Sequence, residues 1–461
     1  MKRILSVFLA ALLMLSILAS CAEQTPNEPP STGTPSSALE EPSTGQASET
    51  EPETGAPAAE EPATSKYEYE YVAPEDGSFT ICGIPLSEYS LVLYFPTSSD
   101  YSYMERKLVV DPLKDSISSA TGTDWDIKVI KNEKYDTQKW AEHEILLGSN
   151  FHRDGMPETD MQKNYYGVTA DGTVYFSTPS PMMYPHLFRL FLEEFFGVPY
   201  ASGAASAGCA IQECYREIPR FDIEALKAEG YELVFEDYFD GDEIDWNRWA
   251  LSEEVVGYKA NICYDDMFLE NGDLVFLGRE TEIDGVKAWR GGEMCVREPY
   301  LYGYIEARIK VNYCESRANT EYWSAFWIYE PGVHTDEISQ GGKYGVELDI
   351  VENWGPDHTS SCVWVAGAEG TEGLSDELYE VHNMGFNYPE EYHVYSVLWD
   401  ENYYQIFVDG ILIAYSDFYS GTSSIPEHII LSLIAKGDKH TQEMEMRTDY
   451  VRIWQKPAAQ D

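Results

Sequence analysis

The sequence predicts a mainly β protein, a β-sandwich jelly roll preceded by a small α+β domain. Three observations support this prediction. From Tyr231 onward, short strand-like segments separated by turn residues follow one another without a long helical pattern. Between residues 67 and 217, strand-like and helix-like segments alternate instead. Aromatic residues make up 14% of the chain, with 34 Tyr and 11 Trp, and such residues are favoured in β-sheets.

Residues 1–21 resemble a bacterial lipoprotein signal. Lys2 and Arg3 precede an apolar run that is short for a membrane span, which needs about 20 apolar residues. The run ends at Leu18-Ala19-Ser20-Cys21, which resembles a lipobox, a pattern in which the cysteine is acylated and becomes the mature N-terminus. We therefore expect an extracellular protein anchored to the cell membrane by lipid on Cys21. The alternative is an ordinary cleaved signal peptide with an incidental cysteine.

Residues 22–66 have the composition of a disordered linker. They are rich in Pro, Thr, Ser, Glu, Gly and Ala, contain no aromatic residue, and reach their first positive charge at Lys66. Such a segment buries too little apolar surface to offset the entropy that is lost on ordering. A flexible chain of this length spans on the order of 40 Å, so the segment would act as a spacer after the anchor.

The formal net charge of −49 at pH 7 limits the partners that the protein can have. A strongly anionic surface repels a phosphate backbone, so we expect no nucleic-acid partner. The cysteines beyond Cys21 form neither a CxxC motif nor a Cys/His cluster with zinc spacing. The sequence therefore predicts mostly buried thiols, with one disulfide as the alternative, and no thiol chemistry.

Residues 67–217 show the alternation of an α+β domain. The predicted elements are strand Leu91–Phe95, helix Tyr103–Ala120, strands Trp125–Ile130 and His143–Gly148, a hairpin at Gly167–Phe176 that turns at Asp171-Gly172, and helix Pro181–Phe196 ended by Gly197. This element order, with the segment Glu144–Gly148, resembles the accessory domain that precedes the catalytic barrels of glycoside hydrolase families 20 and 67. Because no catalytic constellation is evident here, we expect a packing or positioning role.

Residues 228–457 are predicted to form the β-sandwich. Eight segments have the length and composition of strands: Leu274–Gly278, Gly303–Val311, Ser324–Tyr329, Gly345–Val351, Tyr392–Asp400, Tyr403–Val408, His428–Ala435 and Arg447–Gln455. Turn residues lie between them. Many short strands at close spacing are typical of a β-sandwich or jelly roll, and about 230 residues are enough for two packed sheets.

An acidic motif, Glu-Leu-Asp-Ile-Val-Glu, lies in one of these strands. Glu347 and Asp349 share a face because side chains alternate along a strand, whereas Glu352 would point to the opposite face. A β-bulge between Asp349 and Glu352 would add one residue and return Glu352 to the shared face. The core behind the three carboxylates would then be filled by Leu348 and Ile350.

Three carboxylates on one strand face repel one another, and a structural role rarely requires that arrangement. Glycoside hydrolysis does require it, because one carboxylate attacks the anomeric carbon and a protonated one donates to the leaving oxygen. Mutual repulsion helps to raise the pKa of the acid. The alternative is a solvated acidic strand face in a very acidic protein.

The ExDxxE motif, with its extra residue, resembles that of glycoside hydrolase family 16, in the laminarinase-like branch. Further segments match this family in order over about residues 228–457: the opening strand at Leu233–Gly241, the YGxxEAR strand at Tyr302–Lys310, the WPAFW segment at Trp323–Trp327, the late hairpin at His393–Trp399 and Val408–Gly410, and the closing strand at Thr448–Trp454. The resemblance implies a jelly roll and an endo-acting, retaining hydrolase of a β-linked glucan, first of all β-1,3-glucan of the laminarin type.

Carried over to this sequence, the family pattern implies a role for each carboxylate. Glu347 would be the nucleophile, Asp349 the assisting carboxylate and Glu352 the acid/base. Three tryptophans are implied as residues that stack on sugar rings, with core packing as their alternative role: Trp323, Trp327 and Trp354. The family pattern requires no cofactor.

Two positions depart from the family pattern. The family often has Thr-Val-His shortly after the acid/base, whereas this sequence has Cys362-Val363-Trp364, so we expect Trp364 to reshape a subsite. The family also often binds a structural calcium through an acid in its opening segment and an Asp in its closing strand. Asp449 matches the second ligand, but Tyr238 stands in place of the first. The sequence thus supplies half of that calcium site.

The sequence leaves other interpretations open. The same fold could act on a mixed-linkage β-glucan or a galactan. The chain could also be a non-catalytic surface lipoprotein that binds glycan, although a binder has no need for a repelling pair of carboxylates. A third interpretation makes it a structural or adhesion factor in which residues 67–217 bind the partner. A β-linked polysaccharide and the membrane are the partners that we expect.

The lipobox predicts that Cys21→Ala abolishes anchoring. Because no thiol remains to carry lipid, the variant should leave the membrane fraction or keep its signal peptide. Cell fractionation, with mass spectrometry of the mature N-terminus, measures both outcomes. Ser20→Ala keeps the acceptor thiol and should remain with the membrane. Processed Cys21→Ala protein that still partitions with membranes would contradict the prediction.

Overall fold

The computed structural model describes residues 79–94, 110–121, 126–131, 141–148, 153, 155–158, 160–197, 213–257, 262–311, 322–330, 342–355, 358–365, 374–382, 384–418, 421–435 and 442–457. The predicted signal, Cys21 and the linker at 22–66 lie outside these ranges, as does the first half of the helix predicted from Tyr103. None of the helices in the described ranges is long and apolar enough to cross a membrane.

The first part of the described chain contains eight strands and two α-helices. The strands are β1 (Thr80–Ile81), β2 (Ile84–Pro85), β3 (Tyr89–Tyr94), β4 (Lys128–Lys131), β5 (His143–Gly148), β6 (Asn164–Val168), β7 (Val174–Ser177) and β8 (Cys214–Ile218). The helices are α1 (Asp111–Thr121) and α2 (Tyr184–Phe196), with 3₁₀ turns at Leu86–Glu88 and Pro181–Met183. Apart from the β1–β2 hairpin and the additional strand β8, this is the predicted order of elements.

Six of these described strands form one sheet, which we call the mixed sheet, in the order β4-β3-β5-β7-β6-β8. Strands β4, β3, β5 and β7 run parallel, and β6 pairs antiparallel with β7 and β8. The predicted hairpin is confirmed, with Gly172 in its turn at φ +85°, as is the end of α2 at Gly197, where φ is +64°. Both positions favour glycine because a Cβ is disfavoured at positive φ.

The mixed sheet buries apolar residues on both faces. On one face, alternate strand residues pack with the apolar residues of α1 and α2: Leu91, Leu93, Ile145, Leu147, Val174 and Phe176. The residues between them reach the other face, where Val92, Leu146, Tyr165 and Tyr175 form a smaller cluster. The period-two alternation of strand side chains accounts for both clusters.

The second part of the described chain is almost entirely strands. They are β9 (Glu232–Asp237), β10 (Trp249–Leu251), β11 (Met267–Glu270), β12 (Asp273–Ile283), β13 (Val286–Arg290), β14 (Gly292–Val296), β15 (Gly303–Lys310), β16 (Tyr322–Tyr329), β17 (Glu347–Gly355), β18 (His358–Val365), β19 (Leu374–His382), β20 (His393–Trp399), β21 (Tyr404–Val408), β22 (Ile411–Ser416), β23 (His428–Ala435) and β24 (Met444–Gln455). Short helices are α3 (Ile223–Ala228) and α4 (Ser252–Val255), with a 3₁₀ turn at Tyr264–Asp266.

Within the described ranges these strands form two antiparallel sheets. The front sheet has the order β10-β14-β23-β16-β17-β18-β19. The back sheet has the order β11-β12-β24-β15-β20-β21-β22, with β13 paired to β12 and β9 paired to β24. One hydrophobic core contains residues of both sheets, among them Phe326 and Leu348 from the front and Ile305 and Val397 from the back. The predicted β-sandwich is therefore confirmed.

The mixed sheet and the sandwich lie in one compact unit, residues 67–461. Phe221 stacks on Tyr304 of the back sheet with ring centroids 4.2 Å apart, within an apolar cluster that also includes Met183. The buried amide of Asn164 donates to the carbonyl of Leu412 at 2.7 Å. The division into domains at 67–217 and 228–457 stays a prediction, because the two parts share this buried contact.

Candidate active site

The candidate site is built on a β-bulge in strand β17. On the neighbouring strand β16, Trp327 pairs with Asp349, but the next residue, Phe326, pairs with Val351. One residue of β17, Ile350, is therefore extra. Strand β18 shows the same insertion, because three steps along β17 from Asp349 to Glu352 correspond to two steps along β18. The predicted bulge is confirmed at its predicted place.

The bulge puts the three carboxylates on the outer face of the front sheet. Glu347, Asp349 and Glu352 pair in register with residues of β16 that point away from the core, namely Tyr329, Trp327 and Ala325. Leu348, Ile350 and Val351 belong to the core between the sheets. Because the bulge adds a residue, two consecutive apolar side chains point inward, and the acidic side chains keep a common face.

A hydroxyl group satisfies the backbone at the bulge. The carbonyl of Ile350 accepts a hydrogen bond from the Ser361 hydroxyl at 2.6 Å. An inserted residue is left out of the regular ladder, so its polar groups need another partner. Ser361 is 1% exposed and supplies that partner from strand β18. Sequence reasoning missed this residue, because its role depends on the register of β18.

Burial and mutual repulsion control the ionisation of the carboxyls. Asp349 is 5% exposed and Glu352 8% exposed, while Glu347 is partly buried. Burial raises the pKa of Glu347 to about 8, and the charge of Glu352 adds to the rise. Burial also holds the pKa of Asp349 well above its usual range, and the charge of Glu347 adds to that rise. Two carboxyls on adjacent outward positions thus both resist ionisation at neutral pH.

Strand β18 supplies hydrogen bonds to the same two carboxyls. Trp364 bonds the side chain of Glu347, and Cys362 bonds that of Asp349, and each bond lowers the pKa of its carboxyl. Both residues belong to the Cys362-Val363-Trp364 segment, the first of the two places at which the sequence departs from the family pattern. The departure therefore reaches the candidate nucleophile itself, whereas the sequence suggested only a reshaped subsite.

The predicted tryptophans differ in how far their side chains are exposed. Trp323 and Trp327 lie on β16 at alternate positions, on the face that carries the carboxylates. Trp327 is only 5% exposed, and its indole donates to the Ser432 hydroxyl at 3.2 Å, so little of its ring is open to a sugar. Trp323 is partly exposed. The side chain of Trp354 lies outside the described part of β17.

A fourth carboxyl, Glu293, lies on the same face and was missed from the sequence. In register across the front sheet, Glu293 of β14 pairs with Ser432, which pairs with Ala325, which pairs with Glu352. Glu293 is fully buried and accepts a hydrogen bond from the Ser252 hydroxyl. Burial raises its pKa to about 8. Only the strand register reveals that this residue shares a face with the motif.

The residues around Asp449 do not fit a calcium site. Its carboxylate is engaged by Arg308, with Nη1 and Oδ2 2.5 Å apart. Tyr238, in place of the opening acid, is 40% exposed beside the ring of Tyr450. Among the described residues, no group of three His, Cys, Asp or Glu side chains is arranged to hold a metal ion. A guanidinium, already a cation, is the partner of Asp449 here.

The raised pKa of Glu347 predicts that Glu347→Gln stabilises the protein at alkaline pH. A pKa raised from about 4.3 in the unfolded chain means that the folded state binds the proton more tightly, so this contribution to stability is lost as pH rises toward 8. Gln cannot ionise, so the variant should gain about 1 kcal/mol or more at pH 8 and progressively less toward pH 4.5. Thermal unfolding across this range measures the difference.

The control for this prediction is Glu401→Gln, which removes an exposed carboxylate. It should leave the stability nearly unchanged at every pH, as surface substitutions usually do. A gain for Glu347→Gln that does not depend on pH, or no gain at pH 8, would contradict the raised pKa of the Glu347 carboxyl.

Comparison with known proteins gives the family of the second part of the chain. Residues 265–452 match the model of glycosyl hydrolases family 16. A beta-glucanase of Acetivibrio thermocellus is 26% identical over 186 residues, which are 40% of this chain and 48% of that protein. The chain thus spans about half the length of the curated relatives that it matches.

Two solved structures are similar to half of the chain. The catalytic domain of an endo-1,3-beta-glucanase (laminarinase) from Thermotoga petrophila is 21% identical, with a TM-score of 0.39, and covers 50% of this chain and 99% of that one. Porphyranase B from Zobellia galactanivorans is 20% identical, with a TM-score of 0.39, and covers 49% and 92%. From the family model, residues 265–452 are a glycosyl hydrolases family 16 domain, and the bulged acidic strand lies inside it.

Proposed function

We propose that the protein is an endo-acting, retaining glycoside hydrolase that cleaves a β-linked glucan, with β-1,3-glucan of the laminarin type as its preferred substrate. The bulged strand carries this proposal, because it brings three carboxyls to one outer face within a family 16 domain. The similarity to a beta-glucanase supports the substrate class. The net charge of −49 further disfavours sulfated galactans through repulsion.

In the proposed first step, a carboxylate oxygen of Glu347 attacks the anomeric carbon from the face opposite the leaving group. The bond from that carbon to the glycosidic oxygen breaks, and the protonated Glu352 gives its proton to that oxygen. In the second step Glu352 takes a proton from water, the water oxygen attacks the anomeric carbon, and the ester to Glu347 breaks. Two inversions return the original configuration, which is the outcome of a retaining enzyme.

The register sets how far the two glutamates must reach. They lie opposite Tyr329 and Ala325, four residues apart on β16, which corresponds to about 13 Å between backbones. Retaining enzymes hold the carboxyls about 5–5.5 Å apart. We therefore propose that both side chains lean toward Asp349, which lies between them. A protonated Asp349 would donate a hydrogen bond to the Glu347 carboxylate.

We also propose that the protein acts outside the cell, held at the membrane by lipid on Cys21. The signal-like N-terminus and the lipobox support this location. A long polar segment at 22–66 would let the enzyme reach polysaccharide at a distance from the bilayer. A high-molecular-weight glucan outside the cell is a substrate that such a tethered endo-enzyme could shorten for uptake.

The substrate is tested by the release of reducing ends from laminarin, mixed-linkage β-glucan, agarose and carrageenan. We expect laminarin to be cleaved fastest and the two galactans least. Glu352→Gln should lose about 10²–10⁴-fold, because general acid–base catalysis is removed. The control Glu401→Gln should keep the wild-type rate. Robust hydrolysis of a galactan without laminarin would overturn the substrate, and near-normal rates in Glu347→Gln and Glu352→Gln would overturn the site.

The division of roles predicts different products from two alanine variants in the presence of azide. Glu347→Ala vacates the side of the nucleophile but keeps the acid, so azide should enter there and give an α-glycosyl azide from an activated β-glycoside. Glu352→Ala keeps the nucleophile, so azide should intercept the glycosyl-enzyme and give the β-azide. Proton NMR of the products distinguishes the two anomers. Inverted product from the wild-type enzyme, or the same azide anomer from both variants, would refute the assignment.

A further inference from the structure

Strand β18 places two hydrogen-bond donors directly against the candidate carboxyls. In register, Trp364 lies opposite Glu347, and Cys362 lies opposite Asp349. Directly opposed residues of antiparallel strands have Cβ atoms about 4.5–5.5 Å apart, so contact between these side chains follows from the register. Val363, between the two donors, points into the core and fixes the face to which both turn.

The indole of Trp364 differs from most partners of a carboxyl group. Its N–H can only donate, and it neither accepts a hydrogen bond nor ionises in the working pH range. A donor of this kind favours the ionised form of the carboxyl that accepts from it. The hydrogen bond therefore favours the ionised form of the Glu347 carboxyl at every pH at which the enzyme works.

The other surroundings of Glu347 act against its ionisation. Burial is the largest contribution, and the charges of Glu352 and Glu293 add to it. Among the described residues, the titratable side chains on this face, from the strand itself and from β16, β14, β18 and β23, are Asp349, Glu352, Tyr329, Glu293, Cys295, Cys362 and His428. His428 is engaged elsewhere, because its Nδ1 lies 3.1 Å from the carbonyl of Val296.

We propose that Trp364 is a positioning residue, whose indole N–H favours the ionised form of the Glu347 carboxyl and orients it for attack on the anomeric carbon. This inference rests on the proposed role of Glu347 as nucleophile. The N–H proton stays on the indole throughout. When the ester to Glu347 breaks in the second step, the returning negative charge again forms on an oxygen beside this donor. Trp364 thus acts on both steps through one hydrogen bond.

The test is Trp364→Phe, which keeps an aromatic ring and removes the donor. A hydrogen bond to a charged group accounts for roughly 10–100-fold in an equilibrium constant. The acid limb of the kcat/KM profile on laminarin should therefore move up by about one to two pH units. Below that limb the variant should lose roughly 10–100-fold, with KM little changed. An unshifted limb with only a higher KM would mean that the ring stacks on sugar, and would overturn the proposal.

Two further variants separate the donor from the ring. Trp323→Phe removes another indole from the same face, and we expect it to change KM without moving the acid limb. Replacement of Trp364 by β-(3-benzothienyl)alanine keeps the shape of the indole but has sulfur in place of N–H. If Trp364→Phe does not fold, this isostere still decides the matter. Its acid limb should shift as predicted for Phe, and a wild-type limb would overturn the proposal.

A titration without substrate makes the test independent of the proposed activity. Carbon-13 NMR of labelled glutamate carboxyls, with Glu347→Gln to assign the signal, follows the ionisation of Glu347 in the full chain. In the isostere this ionisation should move up by about one to two pH units. If laminarin is not cleaved, the proposed function fails while this measurement still applies. An unchanged titration would show that Trp364 does not hold the carboxylate.

Discussion

The single inserted residue in strand β17 is the constraint on which the rest of the site depends. Without Ile350 in the bulge, strict alternation would turn Glu352 into the sandwich core, where an unpaired carboxylate costs several kcal/mol. With it, Ile350 and Val351 both enter the core, and Glu352 joins Glu347 and Asp349 outside. The Ser361 hydroxyl satisfies the Ile350 carbonyl that the insertion leaves out of the ladder.

A site of this kind is unfavourable for stability, and the sandwich has to offset it. Four of the described carboxyls share the outer face of the front sheet, and burial raises the pKa of Glu293 and Glu347 to about 8. Each of them resists ionisation that a solvated carboxyl would undergo freely. Ser252 bonds Glu293, and β18 bonds Glu347 and Asp349, so local donors oppose the repulsion. Carboxyls with strongly raised pKa values cluster at functional sites more often than elsewhere.

The sequence predicts the bulge and the sandwich because both leave local signals. The phase of the acidic motif predicts the insertion, and strand-like segments predict eight of the sixteen strands described in the sandwich. Among the strands that were missed, β19 (Leu374–His382) carries three acidic residues and lacks an apolar run. The roles of Glu293, Ser361 and Trp364 depend on cross-strand register, which a single sequence does not encode locally. The link between Trp364 and Glu347 therefore appears only in the folded chain.

The mixed sheet has a physical reason to stay attached to the sandwich. In the described ranges, β22 ends the back sheet and β19 ends the front sheet, and the turn at Pro181–Met183 lies against both. End strands carry backbone groups without a neighbouring strand, which invites aggregation. The buried amide of Asn164 covers one of these groups, the carbonyl of Leu412. Since β19 pairs with β18, the turn at Pro181–Met183 also lies against the edge of the front sheet next to the strand that carries Trp364 and Cys362.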